Sequence, residues 1–145
     1  MAVWEWTRDM MVGIDDIDFQ HQELIDIISM LHETTEGLQF DSAHRTLIYL
    51  ESYVVVHFGT EELYMKQFEY PNTEAHVTEH RKFKEDFDNI RLDFARRGAS
   101  PMFVEHIKSW SAHWLFDHVA KHDVEMGSYI KAKMDEVGRR GRDNR

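Results

Sequence analysis

Residues 73–94 read TEAHVTEHRKFKEDFDNIRLDF, and this stretch decides the fold. The residues of its inner face recur at intervals of four and three, and they are His76, His80, Phe83, Phe87, Ile90 and Phe94. Such spacing is typical of an amphipathic α-helix, and the alternation of a strand is absent. Asn72 or Thr73 can cap the start of this helix, and Gly98 can end it. The stretch therefore predicts a long helix with one buried face.

Three further stretches show the same period: about 17–36, a second that starts near Asp41 and breaks near Tyr70-Pro71-Asn72, and about 101–137. Gly37 can end the first helix. Asp41 or Ser42 can cap the second, and Ser100 followed by proline is a favourable start for the last. Four long helices with short connections predict an all-α fold, an antiparallel up-down-up-down four-helix bundle.

The chain has 145 residues, a length that suits one domain with its own core. We expect this domain to span residues 1–137, with residues 1–16 forming an N-terminal arm that Trp4 and Trp6 pin across the bundle. Residues 138–145, GRRGRDNR, lack apolar side chains, and we expect a disordered basic tail. A bundle that buries its own core favours a monomer.

Composition excludes several classes of function. The formal net charge is −10, which argues against binding to nucleic acid or to anionic membrane surfaces. The chain has no cysteine, so disulfides, thiolate catalysis and cysteine-based metal sites are excluded. The longest wholly aliphatic stretch is Val54-Val55-Val56, so we expect no membrane insertion. No secretory signal is visible, and we expect a cytoplasmic protein.

Polar side chains occupy part of each predicted inner face. These residues are His21, His57, Glu61, His76, His80, His118 and Asp123. In an antiparallel bundle their positions along the four helices bring all of them to one end. Burying so many imidazoles and carboxylates without partners would cost several kcal/mol each, and a metal site satisfies them with the fewest assumptions.

The spacing supports metal coordination, with one ambiguity. His57 and Glu61 are four residues apart, as are His76 and His80, so each pair shares one helix face. On the last helix, His118 and Asp123 are five residues apart, about 500° of rotation on an α-helix. His118 with His122 would align better, and spacing alone leaves this choice open.

The number of candidate ligands favours two metal ions. Five imidazoles and two carboxylates exceed the needs of one ion, whereas two ions bridged by both carboxylates would use them all. Imidazole suits iron, zinc and copper, and carboxylates add iron and manganese. Two divalent ions carry +4, and two carboxylates with a bridging hydroxide supply −3, so the buried site would be nearly neutral.

Four motifs resemble those of the bacteriohemerythrins, the prokaryotic branch of the hemerythrin family. Residues 14–21 read IDDIDFQH, residues 57–62 read HFGTEE, Tyr70-Pro71 precedes His76 and His80, and residues 114–118 read WLFDH with Asp123 following. The resemblance covers about residues 4–134, and all seven ligand positions of the family carry the expected residue types.

This resemblance implies a di-iron centre and chooses Asp123 over His122. His76, His80 and His118 would hold one iron, and His21 and His57 the other. Glu61 and Asp123 would bridge the two irons together with an oxo or hydroxo group. Dioxygen would bind at an open position of the iron with two histidines. The apolar pocket of the family maps to Leu24, Phe58, Trp114, Leu115 and Val119. Isoleucine is common where Val119 stands, so the pocket could be larger here.

We therefore expect reversible dioxygen binding by an oxygen carrier, storage or delivery protein rather than an enzyme, with an oxygen-consuming enzyme as a possible recipient. The alternatives are a di-iron oxidase or peroxidase, a nitric-oxide-handling enzyme, an O₂ sensor, or an iron store. Ferritin-like oxidases use Glu-x-x-His, and no Glu in this chain has His three residues later. The other histidines are expected at the surface or supporting a ligand, and they are His32, His44, His106, His113 and His122.

Overall fold

The computed structural model describes residues 6–37 and 39–143, apart from the side chains of Glu36, Leu115, Arg142 and Asp143. Within these ranges the chain is helical and forms no strand, and the predicted four-helix bundle is confirmed. None of the described helices combines the length and apolar character needed to cross a membrane.

Four helical rods follow a short 3₁₀ turn at Arg8–Met10. The first three rods are α1 (Asp15–Glu36), α2 (Phe40–Gln67) and α3 (Thr73–Arg97). The fourth consists of α4 (Pro101–Ala112), a π-helical segment (His113–Asp123) and α5 (Val124–Asp143).

Most helix ends follow the sequence signals. Gly37 and Gly98 end α1 and α3, and Gly98 does so at φ +62°, in the region that favours glycine. The hydroxyl of Ser100 accepts the backbone N–H of Phe103, which caps α4 as expected.

The ends of α2 differ from the prediction. This helix starts at Phe40 with Gln39 before it, so Asp41 and Ser42 lie inside the first turn and do not cap it. It ends at Gln67 because the chain then turns tightly at Glu69, where φ is +52°. The residue before a proline disfavours helical dihedrals, which keeps Tyr70 outside the helix.

The fourth rod departs from a single α-helix in its middle. Backbone dihedrals stay right-handed helical at Ala112 and Val124, so the chain passes through without a break. Between them the turns are wider, and at the end of the segment the N–H of Val124 donates to the carbonyl of Val119, five residues earlier. That interval defines the π-helix, which occurs often at functional sites.

The predicted disorder of the basic tail is wrong for residues 138–143, because α5 continues to Asp143. An ion pair between Arg140 and Glu136, 2.7 Å apart and one turn from each other, supports this last stretch. Arginines at a helix C-terminus also interact favourably with the helix dipole. Asn144 and Arg145 lie outside the described residues.

The core has two apolar clusters separated by polar residues. Along α1, Ile17 belongs to the smaller cluster and Leu24 to the larger, with His21 between them. Along the fourth rod, Val119 and Met126 lie in different clusters on either side of Asp123. We call the seven residues between the clusters the polar layer: His21, His57, Glu61, His76, His80, His118 and Asp123.

The N-terminal arm closes the end of the bundle beside the polar layer. The Asp18 carboxylate accepts the backbone N–H groups of Val12 at 2.8 Å and Gly13 at 3.2 Å, which fixes the arm to α1. Gly13 itself adopts φ +88°, a backbone conformation that favours glycine. Trp6 packs against the larger cluster, as expected for a pin, whereas Trp4 lies outside the described residues.

Gly127 lets the arm approach α5 closely, and replacing it should destabilise the fold. A Cβ atom there would lie 3.0 Å from the Val12 carbonyl carbon and closer still to its oxygen, and this backbone cannot move aside cheaply. We expect Gly127→Ala to lower the free energy of unfolding by about 1–3 kcal/mol. Gly59→Ala is the matched control, since nothing lies within 4 Å of a Cβ at that helical position. The control should raise stability by about 0.5–1 kcal/mol, and urea unfolding measures both. Equal effects of the two substitutions would contradict the close approach.

Candidate metal centre

All seven residues of the polar layer meet inside the bundle, as the antiparallel arrangement predicts. None of them is more than 3% exposed. Their nitrogen and oxygen atoms form two overlapping groups, each with its members' ligand atoms within 4.8 Å of one another. One group contains His76, His80 and His118, the other contains His21 and His57, and both contain Glu61 and Asp123. The role of each residue as a ligand stays a prediction.

Asp123 lies between the two groups and presents one oxygen to each. Its Oδ2 is 2.8 Å from Nε2 of His21. Its Oδ1 is 3.0 Å from Nε2 of His76 and 3.1 Å from Nε2 of His118. A carboxylate placed in this way can bridge two ions, with one oxygen on each.

Glu61 occupies the equivalent place on α2. Its Oε1 is 3.0 Å from Nε2 of His80 and 3.4 Å from Nε2 of His57, so it also faces both groups. Its Oε2 is buried without a hydrogen-bond partner. One oxygen in contact with both groups and a second one unsatisfied again suit a bridging position.

The polar layer leaves buried polar atoms that hydrogen bonds do not satisfy. Despite the short contacts, hydrogen-bond geometry is missing at Nε2 of His21, His57, His76 and His118, at both oxygens of Asp123, and at Oε2 of Glu61. Protein interiors leave few such atoms, so this concentration is typical of a metal-binding site. Imidazole nitrogens with carboxylate oxygens are a donor set that suits iron. The residues therefore fit a pair of iron ions.

Opposite charges dominate the electrostatics of the polar layer. Burial alone would lower the pKa of His118, but the adjacent Asp123 carboxylate raises it to about 10. Burial opposes the same change at His76, whose contacts with Asp123 and Glu61 raise its pKa to about 9. Burial lowers the pKa of His57 to about 3, and the pKa of His80 is also lowered. The pKa values of Glu61 and Asp123 lie well below their usual range, because the surrounding imidazoles outweigh burial.

Metal binding should therefore release protons. In the metal-free protein at neutral pH, Glu61 and Asp123 are ionised, and the raised pKa values keep His76 and His118 protonated. Metal must displace these protons, so affinity should rise with pH up to the pKa values of His76, about 9, and His118, about 10. Competition between the protein and a chromogenic chelator for zinc, at about pH 6 and about pH 8, measures this. Equal affinity at the two pH values would show that neither imidazole carries a displaceable proton.

The π-helical segment determines which neighbouring residue of the fourth rod lies with His118 in the polar layer. Because its hydrogen bonds close over five residues, His118 and Asp123 come to the same side of the helix. Asp123 is fully buried, whereas the side chain of His122 is 47% exposed and lies 4.0 Å from Glu79 at the surface. The structure thus places Asp123, and not His122, inside the polar layer.

Apolar side chains cover the polar layer on the side of the larger cluster. Leu24, Phe58, Trp114 and Val119 are all buried there. Phe58 stacks on His80 with ring centroids 3.9 Å apart, and Trp114 meets His21 edge-on at 5.9 Å. The side chain of Leu115 is not among those described, and a pocket for dioxygen stays a prediction.

Two placements were missed from the sequence. His32 is 1% exposed rather than at the surface, because it follows Ile28 by one turn on the inner side of α1. His44, His106 and His122 are exposed, as expected, and His113 is half-buried. Gln20 was also missed, although its amide oxygen lies 2.8 Å from Nδ1 of His57. Its place before His21 is the one sequence signal that could have drawn attention to it.

Comparisons with known proteins agree with this geometry. The model of the hemerythrin HHE cation binding domain matches residues 12–130, which include the whole polar layer. The bacteriohemerythrin of Stenotrophomonas maltophilia (strain R551-3) is 28% identical over 139 residues, covering 96% of this chain and 89% of that protein. The bacteriohemerythrin of Methylococcus capsulatus (strain Bath) is 27% identical over 133 residues, covering 91% and 100%. A crystal structure of wild-type hemerythrin has a TM-score of 0.76 at 26% identity and covers 89% of this chain and 98% of that one.

Proposed function

Because the chain belongs to the hemerythrin family, a family of non-haem iron proteins that bind oxygen, we propose that it binds dioxygen reversibly and serves as an oxygen carrier, store or delivery protein. Its cofactor is a pair of iron ions, and the polar layer fits that pair. When bound, the two irons would supply the electrons for holding dioxygen.

In this proposal each of the two groups of the polar layer corresponds to one iron site. His76, His80 and His118 would hold one iron, and His21 and His57 would hold the other, with a position left for dioxygen. Glu61 and Asp123, which belong to both groups, would serve both ions. The observed support is the position of Asp123, whose two oxygens face opposite groups.

The observation that carries reversible binding is the covering of the polar layer by apolar side chains. Leu24, Phe58 and Val119 carry no acidic proton, and the indole N–H of Trp114 donates hydrogen bonds without giving up its proton. Release of reduced oxygen products requires protons and water at the site. These side chains supply neither protons nor water to the site, which favours reversible binding of dioxygen over its reduction.

Further parts of the proposal concern the setting of the protein. We propose a monomer in the cytoplasm that passes oxygen to an oxygen-consuming enzyme. The two apolar clusters buried within one chain support the monomer.

An absorption spectrum of iron-loaded protein tests the function. The protein is reduced without oxygen, exposed to air, and then placed under vacuum. We expect a visible band that appears in air and vanishes under vacuum over repeated cycles. Immediate and irreversible conversion to the oxidised form, with peroxide or water released, would replace the carrier by a di-iron oxidase or peroxidase. A stable iron content far above two ions per chain would indicate an iron store.

A further inference from the structure

We propose that Gln20 is a positioning residue that fixes the ring of His57, with Nε2 turned to the polar layer, and keeps it a moderate electron donor to iron. The inference rests on the proposed function in one respect, since it takes the polar layer as the iron site. It adds a residue outside the seven and gives the amide group a specific task.

A continuous chain of hydrogen bonds leads away from His57. Nδ1 of His57 lies 2.8 Å from Oε1 of Gln20, on the neighbouring helix α1. Nε2 of Gln20 lies 3.1 Å from the hydroxyl of Thr60, one turn beyond Val56 on α2. The Thr60 hydroxyl in turn lies 3.1 Å from the Val56 carbonyl oxygen.

The direction of each hydrogen bond follows from this order. Thr60 has one hydroxyl proton and donates it to the Val56 carbonyl, so its oxygen accepts from the Gln20 amide nitrogen. The amide oxygen of Gln20 is thereby turned to His57, and since this oxygen can only accept, Nδ1 of His57 carries the proton. Nε2 of His57 then presents its lone pair to the polar layer, where Glu61 lies 3.4 Å away.

The hydrogen bond from its Nδ1 to Gln20 distinguishes His57 from other imidazoles of the polar layer. Nδ1 of His21 and Nδ1 of His118 are buried without hydrogen-bond partners in the described part of the chain. The outer hydrogen bond of a ligating histidine sets both its orientation and its strength as a ligand. Gln20 therefore acts on the two-histidine group, where the open position is proposed.

An amide differs from a carboxylate at this position. A carboxylate would draw the Nδ1 proton more strongly and make the imidazole a stronger donor, which favours oxidised iron. The neutral amide orients His57 without that effect. With an amide at position 20, the reduced state of the iron pair would therefore be more favourable than with a carboxylate.

Variants at Gln20 test the inference on well-folded protein, because this side chain is only partly buried. In zinc-loaded protein, nitrogen NMR should show His57 protonated at Nδ1. Gln20→Ala should disturb that signal and weaken zinc binding by about 10–100-fold. Gln20→Glu should restore zinc binding, lower the reduction potential of the iron-loaded protein and shorten the life of its oxygenated form. Gln22→Glu makes the same charge change at an exposed position one residue after His21, and should alter none of these.

The outcomes separate this inference from the proposed function. Wild-type zinc affinity and an unchanged His57 signal in Gln20→Ala would overturn the positioning role. The positioning role would also be overturned if Gln20→Glu bound zinc as weakly as Gln20→Ala does. The same holds if the iron-loaded Gln20→Glu variant had the reduction potential of the wild-type protein. These readouts do not require oxygen to bind reversibly, so failure of the absorption test in the wild-type protein would overturn the carrier function alone.

Discussion

Replacement of Asp123 by alanine should lower the iron content from two ions per chain toward none and abolish the oxygen-dependent absorption band. Asp123 faces both groups of the polar layer, with Oδ2 at 2.8 Å from His21 and Oδ1 at 3.0 Å from His76. Its loss removes a proposed bridging ligand, which belongs to both groups, and half of the carboxylate charge of the layer. Metal analysis after desalting, together with the absorption spectrum, measures the result, and circular dichroism verifies the helical fold.

His122→Ala is the matched control for this substitution. His122 precedes Asp123 directly, has the better α-helical spacing from His118, and lies at the surface. The variant should keep two irons and the reversible band. Loss of iron in His122→Ala, with iron retained in Asp123→Ala, would reverse the assignment of the fourth rod and contradict the role of the π-helical segment.

Removal of iron should destabilise the folded protein strongly. The metal-free polar layer holds buried atoms without hydrogen bonds, among them Nε2 of His21 and Oε2 of Glu61. Ions that bind the folded chain alone stabilise it by about 4 kcal/mol when free metal exceeds the Kd about a thousandfold. Urea unfolding with and without iron should show a difference of this order.

The Asp123→Ala variant provides the reference for this experiment, because its unfolding should not respond to iron. Identical unfolding curves of the wild-type protein with and without iron would show that the polar layer is satisfied without metal. A response to iron in both proteins would indicate binding elsewhere on the acidic surface.

The fold was predictable because its determinants are local and periodic. The intervals of four and three on α3 define both its inner face and the placement of His76 and His80. Capping at Ser100 and the glycine at position 98 are equally local signals. The meeting of the polar layer at one level then follows from the antiparallel topology, since it needs only the distance of each residue from a helix end.

Features that depend on contacts between distant segments were not predictable in this way. The hydrogen bond between Gln20 and His57 joins two helices at a register that periodicity does not specify. The close approach of Val12 to Gly127 depends on the path of the arm. The helical form of residues 138–143 depends on a weak balance between exposed arginines and the ion pair at Glu136, which composition alone does not decide.

The π-helical segment has a consequence for insertions and deletions. A helix whose hydrogen bonds close over five residues behaves like an α-helix with an inserted residue. A chain lacking one of the residues 119–122 would have its histidine and aspartate four positions apart, and an ordinary α-helix would carry both on one side. At this site the angle between the histidine and aspartate side chains around the helix axis must therefore be kept, rather than the number of residues between them. Lys121, exposed at the surface, marks where such a residue could be gained or lost without removing a ligand.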